Sequence, residues 1–132
     1  MLSEADKAIA EVAIGGLVQR YAEAVDLHLH DAYVACFTED GEFSRTGGAF
    51  KGREAIGEAM GQTGNVTRRH FFMPPIVEFT SDTTATGRGF IMILEHHGEA
   101  GMKGPYPVDY KDEYRKTSEG WLLSKRTVGR AF

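Results

Sequence analysis

The sequence predicts a single α+β domain spanning residues 1–132, with helices first and a sheet second. Segments with helical spacing fill the first half of the chain, and four long segments rich in β-branched and aromatic residues fill the second. The length of 132 residues is enough for one core and too short for two. Strands that follow one another through short turns form an antiparallel meander. We expect this sheet to curl over the helices and to leave a pocket between the two layers.

The first half of the chain contains three helix patterns. Ser3 followed by Asp6 forms a capping box, and apolar residues then recur at helical spacing. Asp31 is placed to cap a short second helix, and Asp40-Gly41 is typical of a turn that closes it. The predicted elements are helices over about Ser3–His28, Ala32–Phe37 and Gly52–Gly61, with a short strand at about Glu42–Arg45.

The second half of the chain is predicted to be the sheet. Its strands are Thr67–Thr80, Thr83–Glu95, Tyr106–Thr117 and Trp121–Arg130, separated by turns rich in Gly, Ser and Asp. Pro74-Pro75 lies inside the first of these segments. Because proline cannot donate to a strand ladder, we expect a kink or a break in pairing there.

The last hairpin allows its register to be predicted. A tight turn at Ser118-Glu119 pairs residues whose numbers sum to about 237 or 238, so Asp112 faces Arg126. The face predicted to point inward carries Tyr110, Asp112, Tyr114, Leu122, Ser124 and Arg126, and the solvated face carries Asp109, Lys111, Glu113 and Arg115. A slip of one residue would exchange the two faces. Asp112 then either orients Arg126 as an ion pair at the cavity wall or forms a purely structural cross-strand pair.

Composition excludes several classes of partner. The formal net charge of −4 provides no basic field for nucleic acid or anionic lipid. No apolar run reaches the length of about 20 residues that a membrane span needs, and the start lacks the pattern of a signal peptide. We therefore expect a cytoplasmic protein without membrane or nucleic-acid partners. The single cysteine, Cys36, leaves no possibility of an internal disulfide.

The histidine spacing predicts no metal site. His28 and His30 lie two apart at a helix end, and His96 and His97 are neighbours in a strand or turn, so neither pair can direct both rings at one ion. The glycine-rich segments lack the strand-to-helix context of a phosphate loop. We predict neither a metal nor an organic cofactor.

Four polar residues, Tyr21, Asp26, His70 and Arg126, lie within apolar sequence that should direct them into one core. A carboxylate beside an imidazole is a general base, and a phenol or guanidinium can hold a substrate oxygen. Five residues turn an ideal helix by about 140°, so Tyr21 and Asp26 do not share one helix face and meet in one pocket only in certain geometries. The set suggests proton abstraction.

These residues lie in motifs that resemble the SnoaL-like branch of the nuclear transport factor 2-like superfamily. The motifs are Tyr110-Lys-Asp-Glu-Tyr-Arg-Lys116 followed by Gly120-Trp-Leu-Leu-Ser-Lys-Arg126, with Tyr21, Val25-Asp26, Phe37-Thr-Glu-Asp-Gly41 and Arg69-His70 upstream. The resemblance covers nearly the whole chain. It implies a cone of curved antiparallel sheet packed on three N-terminal helices, the cystatin-like α+β roll.

Within that branch the motifs look most similar to γ-hexachlorocyclohexane dehydrochlorinase, bile-acid dehydratase and scytalone dehydratase. The resemblance implies that His70 is the base, that Asp26 orients it, and that Arg126 lies beside the leaving group or a carbonyl oxygen. Tyr21 stands where the dehydratases carry tyrosine and the dehydrochlorinase carries lysine. A phenol suits dehydration or isomerisation better than chloride release, where a cation has the advantage.

The function predicted is therefore a cofactor-free lyase or isomerase that acts on an apolar cyclic molecule of the steroid, polyketide or aromatic kind. Tyr110, Phe72, Tyr114 and Asp112 are the expected pocket residues. Two other hypotheses about the function stay open: a non-catalytic small-ligand binder, and the small structural subunit of a ring-hydroxylating dioxygenase. A pocket filled by side chains, or an imidazole turned away from Asp26, would favour those readings. The resemblance also implies a homodimer or homotrimer.

Overall fold

Three helices pack against one curved, unclosed mixed sheet in the computed structural model, which describes residues 1–61 and 66–132. The helices are α1 Glu4–Asp26, α2 His30–Val34 and α3 Arg53–Gly61. The strands are β1 Phe37–Arg45, β2 Gly48–Lys51, β3 Thr67–Phe72, β4 Ile76–Phe79, β5 Thr84–His96, β6 Met102–Thr117 and β7 Gly120–Arg130. The predicted α+β fold class is confirmed. No helix in the described ranges is both long and apolar enough to cross a bilayer.

Helix α1 begins and buries its apolar stripe as its sequence predicts. The Ser3 hydroxyl accepts the backbone N–H of Asp6 at 3.1 Å, which satisfies one of the free donors of the first turn. Ile14, Leu17 and Tyr21 recur along one face and are buried against the sheet. The helix ends at Asp26, two residues before the predicted end at His28. The fixed end of α1 therefore holds the Asp26 carboxylate over the sheet.

Strand β1 departs from the prediction in type and in pairing. The segment Phe37 to Gly41, predicted as the end of a helix and a turn, belongs to β1 with a bulge between Phe37 and Glu42. Phe37 is fully buried in the core, and the Leu123 N–H donates to the Cys36 carbonyl at 2.8 Å. These long-range contacts outweigh the turn propensity of Asp40-Gly41.

The sheet is mixed and not wholly antiparallel because β1 pairs in parallel with β7. An unpredicted strand, β2, then returns antiparallel on β1. The strand order is β2-β1-β7-β6-β5-β3, with β4 also paired to β5. The predicted meander is correct for β5, β6 and β7, which pair antiparallel in sequence order.

The diproline segment divides one predicted strand into two. Thr67–Thr80 is β3 and β4, and both pair with β5 on either side of Pro74-Pro75. Strand β6 begins at Met102, four residues before the predicted Tyr106. Helix α1 packs against β3 and β7 of this sheet.

The register of the last hairpin is confirmed. Asp112 pairs with Arg126, and Thr117 pairs with Gly120, whose φ of 99° is the left-handed value that glycine adopts easily. A bulge after Glu113 places Leu123 opposite Tyr114. The prediction that Leu122 shares the face of Tyr114 is therefore wrong, because Leu123 takes that place. Ser124 is skipped in the register, and its hydroxyl donates to the Glu113 carbonyl at 3.1 Å.

Candidate functional site

A cavity of about 630 Å³ lies between the C-terminal part of α1 and the sheet. Its wall is largely aliphatic and aromatic, with contributions from Tyr21, Val25, Phe43, Phe72, Ile91, Ile93, Val108 and Val128. The volume lies within the range of about 300–1,000 Å³ that is usual for small-molecule sites. A wall of this composition suits an apolar ligand with a few polar groups.

Asp26 and His70 meet inside this cavity. The His70 backbone N–H donates to Asp26 Oδ2 at 2.9 Å, and His70 Nδ1 lies 2.5 Å from Asp26 Oδ1. The Asp26 side chain is 8% exposed and the His70 side chain is 14% exposed, so the contact is largely shielded from solvent. Both residues line the cavity.

The two contacts to Asp26 determine how the imidazole can act. Because an ionised carboxylate only accepts hydrogen bonds, its contact with Nδ1 favours the tautomer that carries the proton on Nδ1. Nε2 then has a free lone pair, and it has no hydrogen-bond partner among residues 1–61 and 66–132. The arrangement presents an oriented general base to the cavity.

The local structure explains how the contact between Asp26 and His70 forms. His70 lies on β3 opposite Ile93 of β5, and alternation along β3 directs His70 and Phe72 to the same inner face. The His70 ring stacks near Phe72 with a centroid distance of 6.3 Å. Asp26 is the last residue of α1, so its carboxylate is held by the helix and still reaches the strand.

Tyr21 reaches the same cavity despite the helical turn that separates it from Asp26. Its ring is buried and contacts those of Tyr33 at 5.3 Å and Phe72 at 5.9 Å. Burial raises the pKa of the Tyr21 phenol, although the nearby Arg126 charge and hydrogen bonding to Tyr33 oppose this. The phenol therefore stays protonated at neutral pH and can donate a hydrogen bond.

Arg126 lies behind the cavity wall. Its side chain is fully buried and pairs bidentately with Asp112, through Nε to Oδ1 at 2.8 Å and Nη2 to Oδ2 at 2.6 Å. The Tyr114 hydroxyl donates to the same carboxylate at 2.6 Å. Although burial alone would lower the pKa of Arg126, the Asp112 charge raises it above its ordinary value. The guanidinium is a permanent buried cation.

The remaining face of this guanidinium is covered by aromatic rings. Its Cζ lies 4.2 Å from the ring centroid of Tyr21, 5.0 Å from that of Phe72 and 5.2 Å from that of Tyr110. Nη1 is buried and makes no hydrogen bond within the described part of the chain. Cation–π contacts are favourable for a desolvated guanidinium. Arg126 therefore acts on the cavity through Tyr21 and Phe72.

Of the four predicted pocket residues, only Phe72 lines the cavity. Asp112 and Tyr114 belong to the buried network beneath it. Tyr110 is also buried, and its hydroxyl donates to the Met73 carbonyl at 3.0 Å. Burial and the Asp112 charge raise the pKa of Tyr110 to about 12. These three residues support the wall from behind.

Several polar lining residues were not predicted as site residues: Tyr33, Arg45, Arg68, Glu95, Tyr106, Arg130 and His28. Alternation along β7 places Arg126, Val128 and Arg130 on one face, and this pattern could have identified Arg130. His28 lies just past α1 in the left-handed region, with φ of 55°. A bond from the Leu29 N–H to the Ala24 carbonyl closes the helix around it.

Glu95 is the second carboxylate on the wall. It accepts from Arg68 Nε at 2.6 Å and lies 3.1 Å from His97 Nε2. Burial alone would raise the pKa of Glu95, but the hydrogen bonds from His97 and Arg68 lower it below its ordinary value. Glu95 is thus held as an anion in an ion-paired cluster.

The fold and the sequence are similar to those of known proteins. An aspartate-to-asparagine variant of Rv3472, a protein of unknown function from Mycobacterium tuberculosis, is 27% identical with a TM-score of 0.84, over 96% of this chain and 75% of that chain. An NTF2-like protein with a cystatin-like fold from Novosphingobium aromaticivorans is 22% identical with a TM-score of 0.82, over 94% and 83% of the two chains.

A third similar structure is the hexachlorocyclohexane dehydrochlorinase LinA-type3 from Novosphingobium barchaimii. It is 20% identical with a TM-score of 0.83, over 98% of this chain and 92% of that chain. No curated protein matches the sequence. The family model of the SnoaL-like domain matches residues 6–127. The chain therefore belongs to the SnoaL-like family.

Proposed function

We propose that this protein is a cofactor-free lyase or isomerase that removes a proton from an apolar cyclic small molecule. The observation that carries the proposal is the contact between Asp26 and His70 inside a cavity large enough for such a ligand. A carboxylate that fixes the tautomer of an imidazole is a recurrent device for general-base catalysis.

In this mechanism His70 Nε2 removes a proton from a carbon next to an activating carbonyl. The electron pair of the broken C–H bond moves toward the carbonyl and gives an enolate. Asp26 stabilises the imidazolium that forms, because its charge lies against Nδ1. General-base catalysis of this kind contributes about 10²–10⁴-fold to the rate.

Tyr21 is the proposed donor to the oxygen that gains negative charge. Its phenol is neutral, lies on the cavity wall and is directed by the covering contact with Arg126. The positive charge of Arg126 beneath the ring strengthens the phenol as a donor. In a dehydration, a hydroxyl β to the carbonyl then leaves as the new double bond forms, and it takes the proton that His70 has acquired, which releases water. In an isomerisation, that proton returns to a different carbon.

Two features support catalysis over the alternative readings. A ligand binder or the idle small subunit of a dioxygenase has no need of a carboxylate placed against an imidazole in an open cavity. This chain has both the contact between Asp26 and His70, which is largely shielded from solvent, and the cavity that they line. The dehydrochlorinase of similar fold is named for an elimination, and Tyr21 favours oxygen-directed chemistry over chloride release in this chain.

The direct test is exchange of hydrogen for deuterium at the carbon beside the carbonyl of cyclic ketones and hydroxy-ketones, followed by proton NMR in heavy water. His70→Gln should slow exchange by about 10²–10⁴-fold, since the base is lost while the volume is kept. His96→Gln is the matched control, because His96 is exposed on the same sheet. Undiminished exchange in His70→Gln would contradict the assigned base. No exchange above the solvent rate by the unmodified protein would contradict the enzyme class.

A further inference from the structure

Two arginines, Arg45 and Arg130, line the cavity. In the described part of the chain neither takes part in any ion pair. Arg45 is half-buried and Arg130 is exposed. Both lie on the wall of the same cavity as His70.

Aromatic rings hold each guanidinium in place. The Arg45 Cζ lies 5.2 Å from the Phe50 ring centroid, and its Nη2 donates to the Ala59 carbonyl at 3.4 Å. The Arg130 Cζ lies 4.4 Å from the Tyr106 ring centroid. Stacking on a ring leaves the in-plane N–H groups of a guanidinium available and reduces the side-chain entropy lost on binding.

The strand register brings the two arginines to one region of the sheet. Strands β1 and β7 are parallel neighbours with Ser44 opposite Thr127, so Arg45 lies beside Val128 and close to Arg130. A cross-strand row runs from Arg130 through Val108 and Ile91 to Phe72. Arg130 and Phe72 are therefore three strand spacings apart, which is about 14 Å along the sheet. His70, two residues from Phe72 on β3, therefore faces the arginines across the cavity.

The charges on the wall are unevenly matched. Asp26 is engaged by His70, and Glu95 is engaged by Arg68 and His97. Within residues 1–61 and 66–132, no carboxylate pairs with Arg45 or Arg130, in a chain whose formal net charge is −4. A cationic pair inside the cavity of an acidic protein is suited to an anionic part of a ligand.

We infer that the substrate of this site is an apolar ring system that carries a carboxylate or similar oxyanion, bound by Arg45 and Arg130 at the end of the cavity opposite His70. Only the statement that the ligand is a substrate rests on the proposed function, because binding of the anion does not need the base. A guanidinium forms paired, charge-assisted hydrogen bonds with a carboxylate, which fixes the far end of the ring relative to Nε2.

Binding of two fluorescent probes tests the assignment. Pyrenebutyrate and pyrenebutanol share one ring system and chain length, and they differ in the terminal carboxylate. Fluorescence anisotropy should give a dissociation constant about 10- to 100-fold lower for pyrenebutyrate, because charge-assisted hydrogen bonds exceed neutral ones. The difference should shrink as salt is added.

Variants locate the effect. Arg45→Gln and Arg130→Gln should each weaken pyrenebutyrate binding by about tenfold and leave pyrenebutanol binding unchanged. Arg69→Gln, which removes the same charge from the exposed face of β3, should alter neither. His70→Gln should keep the preference for the carboxylate even where turnover is lost, so the failure of one proposal is distinguishable from that of the other. Equal affinity for the two probes, no binding of either, or an unchanged preference in both arginine variants would overturn the inference.

Discussion

The buried pair of Asp112 and Arg126 lies beneath the cavity, covered by the Tyr21 ring. The pairing of Asp112 with Arg126 across the two strands could be predicted from the sequence, because the Ser118-Glu119 turn fixes which residues face each other. How deeply the pair is buried could not be predicted, because the burial depends on the Tyr21 ring of α1, which lies more than ninety residues earlier in the chain. A cross-strand pattern defines a face and does not define what covers it.

Removing one member of this pair should lower the free energy of unfolding far more than removing both. Asp112→Leu leaves a buried guanidinium without its carboxylate, and should lower the free energy of unfolding by about 3–5 kcal/mol. The double variant Asp112→Leu with Arg126→Met should recover most of that loss, because the buried charge is gone. Urea unfolding followed by circular dichroism measures each difference.

Tyr114→Phe is the control for this comparison. It removes one hydrogen bond to Asp112 and keeps the ion pair, so it should cost only about 0.5–1.5 kcal/mol. A double variant no more stable than Asp112→Leu alone would show that unpaired charge is not the cause of the loss.

Among the strands, β5 carries a glycine, Gly89, where the Tyr110 ring of β6 packs against it. A Cβ at Gly89 would lie 2.7 Å from the Tyr110 hydroxyl and 2.8 Å from its Cζ, so the ring packs directly over this glycine. Because Tyr110 also covers Arg126, displacing it disturbs the layer beneath the cavity. Gly89 is a packing position and not a turn.

Gly89→Ala should therefore destabilise the protein by about 1–3 kcal/mol, the usual cost of overpacking a core. Gly129→Ala on β7 is the matched control, since a Cβ there meets nothing within 4 Å. Thermal unfolding should separate the two variants clearly. Equal melting temperatures for both would contradict the close packing of Tyr110 on β5.

The elements that the sequence failed to predict share one cause. The turn signal of Asp40-Gly41 is local, whereas the parallel pairing that makes β1 a strand is with β7, some eighty residues away. The same limitation hid Arg45 from the site prediction, because only this pairing places it on the cavity wall. Helix α1 and the β6–β7 hairpin depend on local periodicity and turn chemistry, and both are confirmed.

In the whole molecule, exposed apolar side chains cluster on the outer face of the sheet at β3 and β5. Phe71 on β3 and Phe90 on β5 are 52% and 63% exposed, beside exposed Met73. Such patches on a folded domain commonly mark contacts between proteins. We propose that this face joins copies of the chain into the homodimer or homotrimer that the family resemblance implies.

Sedimentation velocity should then show a dimer or trimer that Phe90→Lys dissociates, with the dissociation constant raised about tenfold or more by a charge buried at the contact. Ile9→Lys is the control, because Ile9 is 68% exposed on α1, away from this face. A monomer at all concentrations, or equal effects of the two substitutions, would contradict the proposed interface.

Nitrogen-15 NMR of the histidine side chains measures whether Asp26 orients His70 as a base that faces the cavity. The neutral His70 ring should carry its proton on Nδ1, with that proton shifted downfield by its short contact with Asp26, and Nε2 should be unprotonated. Asp26→Ala should abolish the downfield proton and let the tautomers mix. A His70 ring protonated on Nε2, or a spectrum unaffected by Asp26→Ala, would show that Asp26 does not orient His70 in this way.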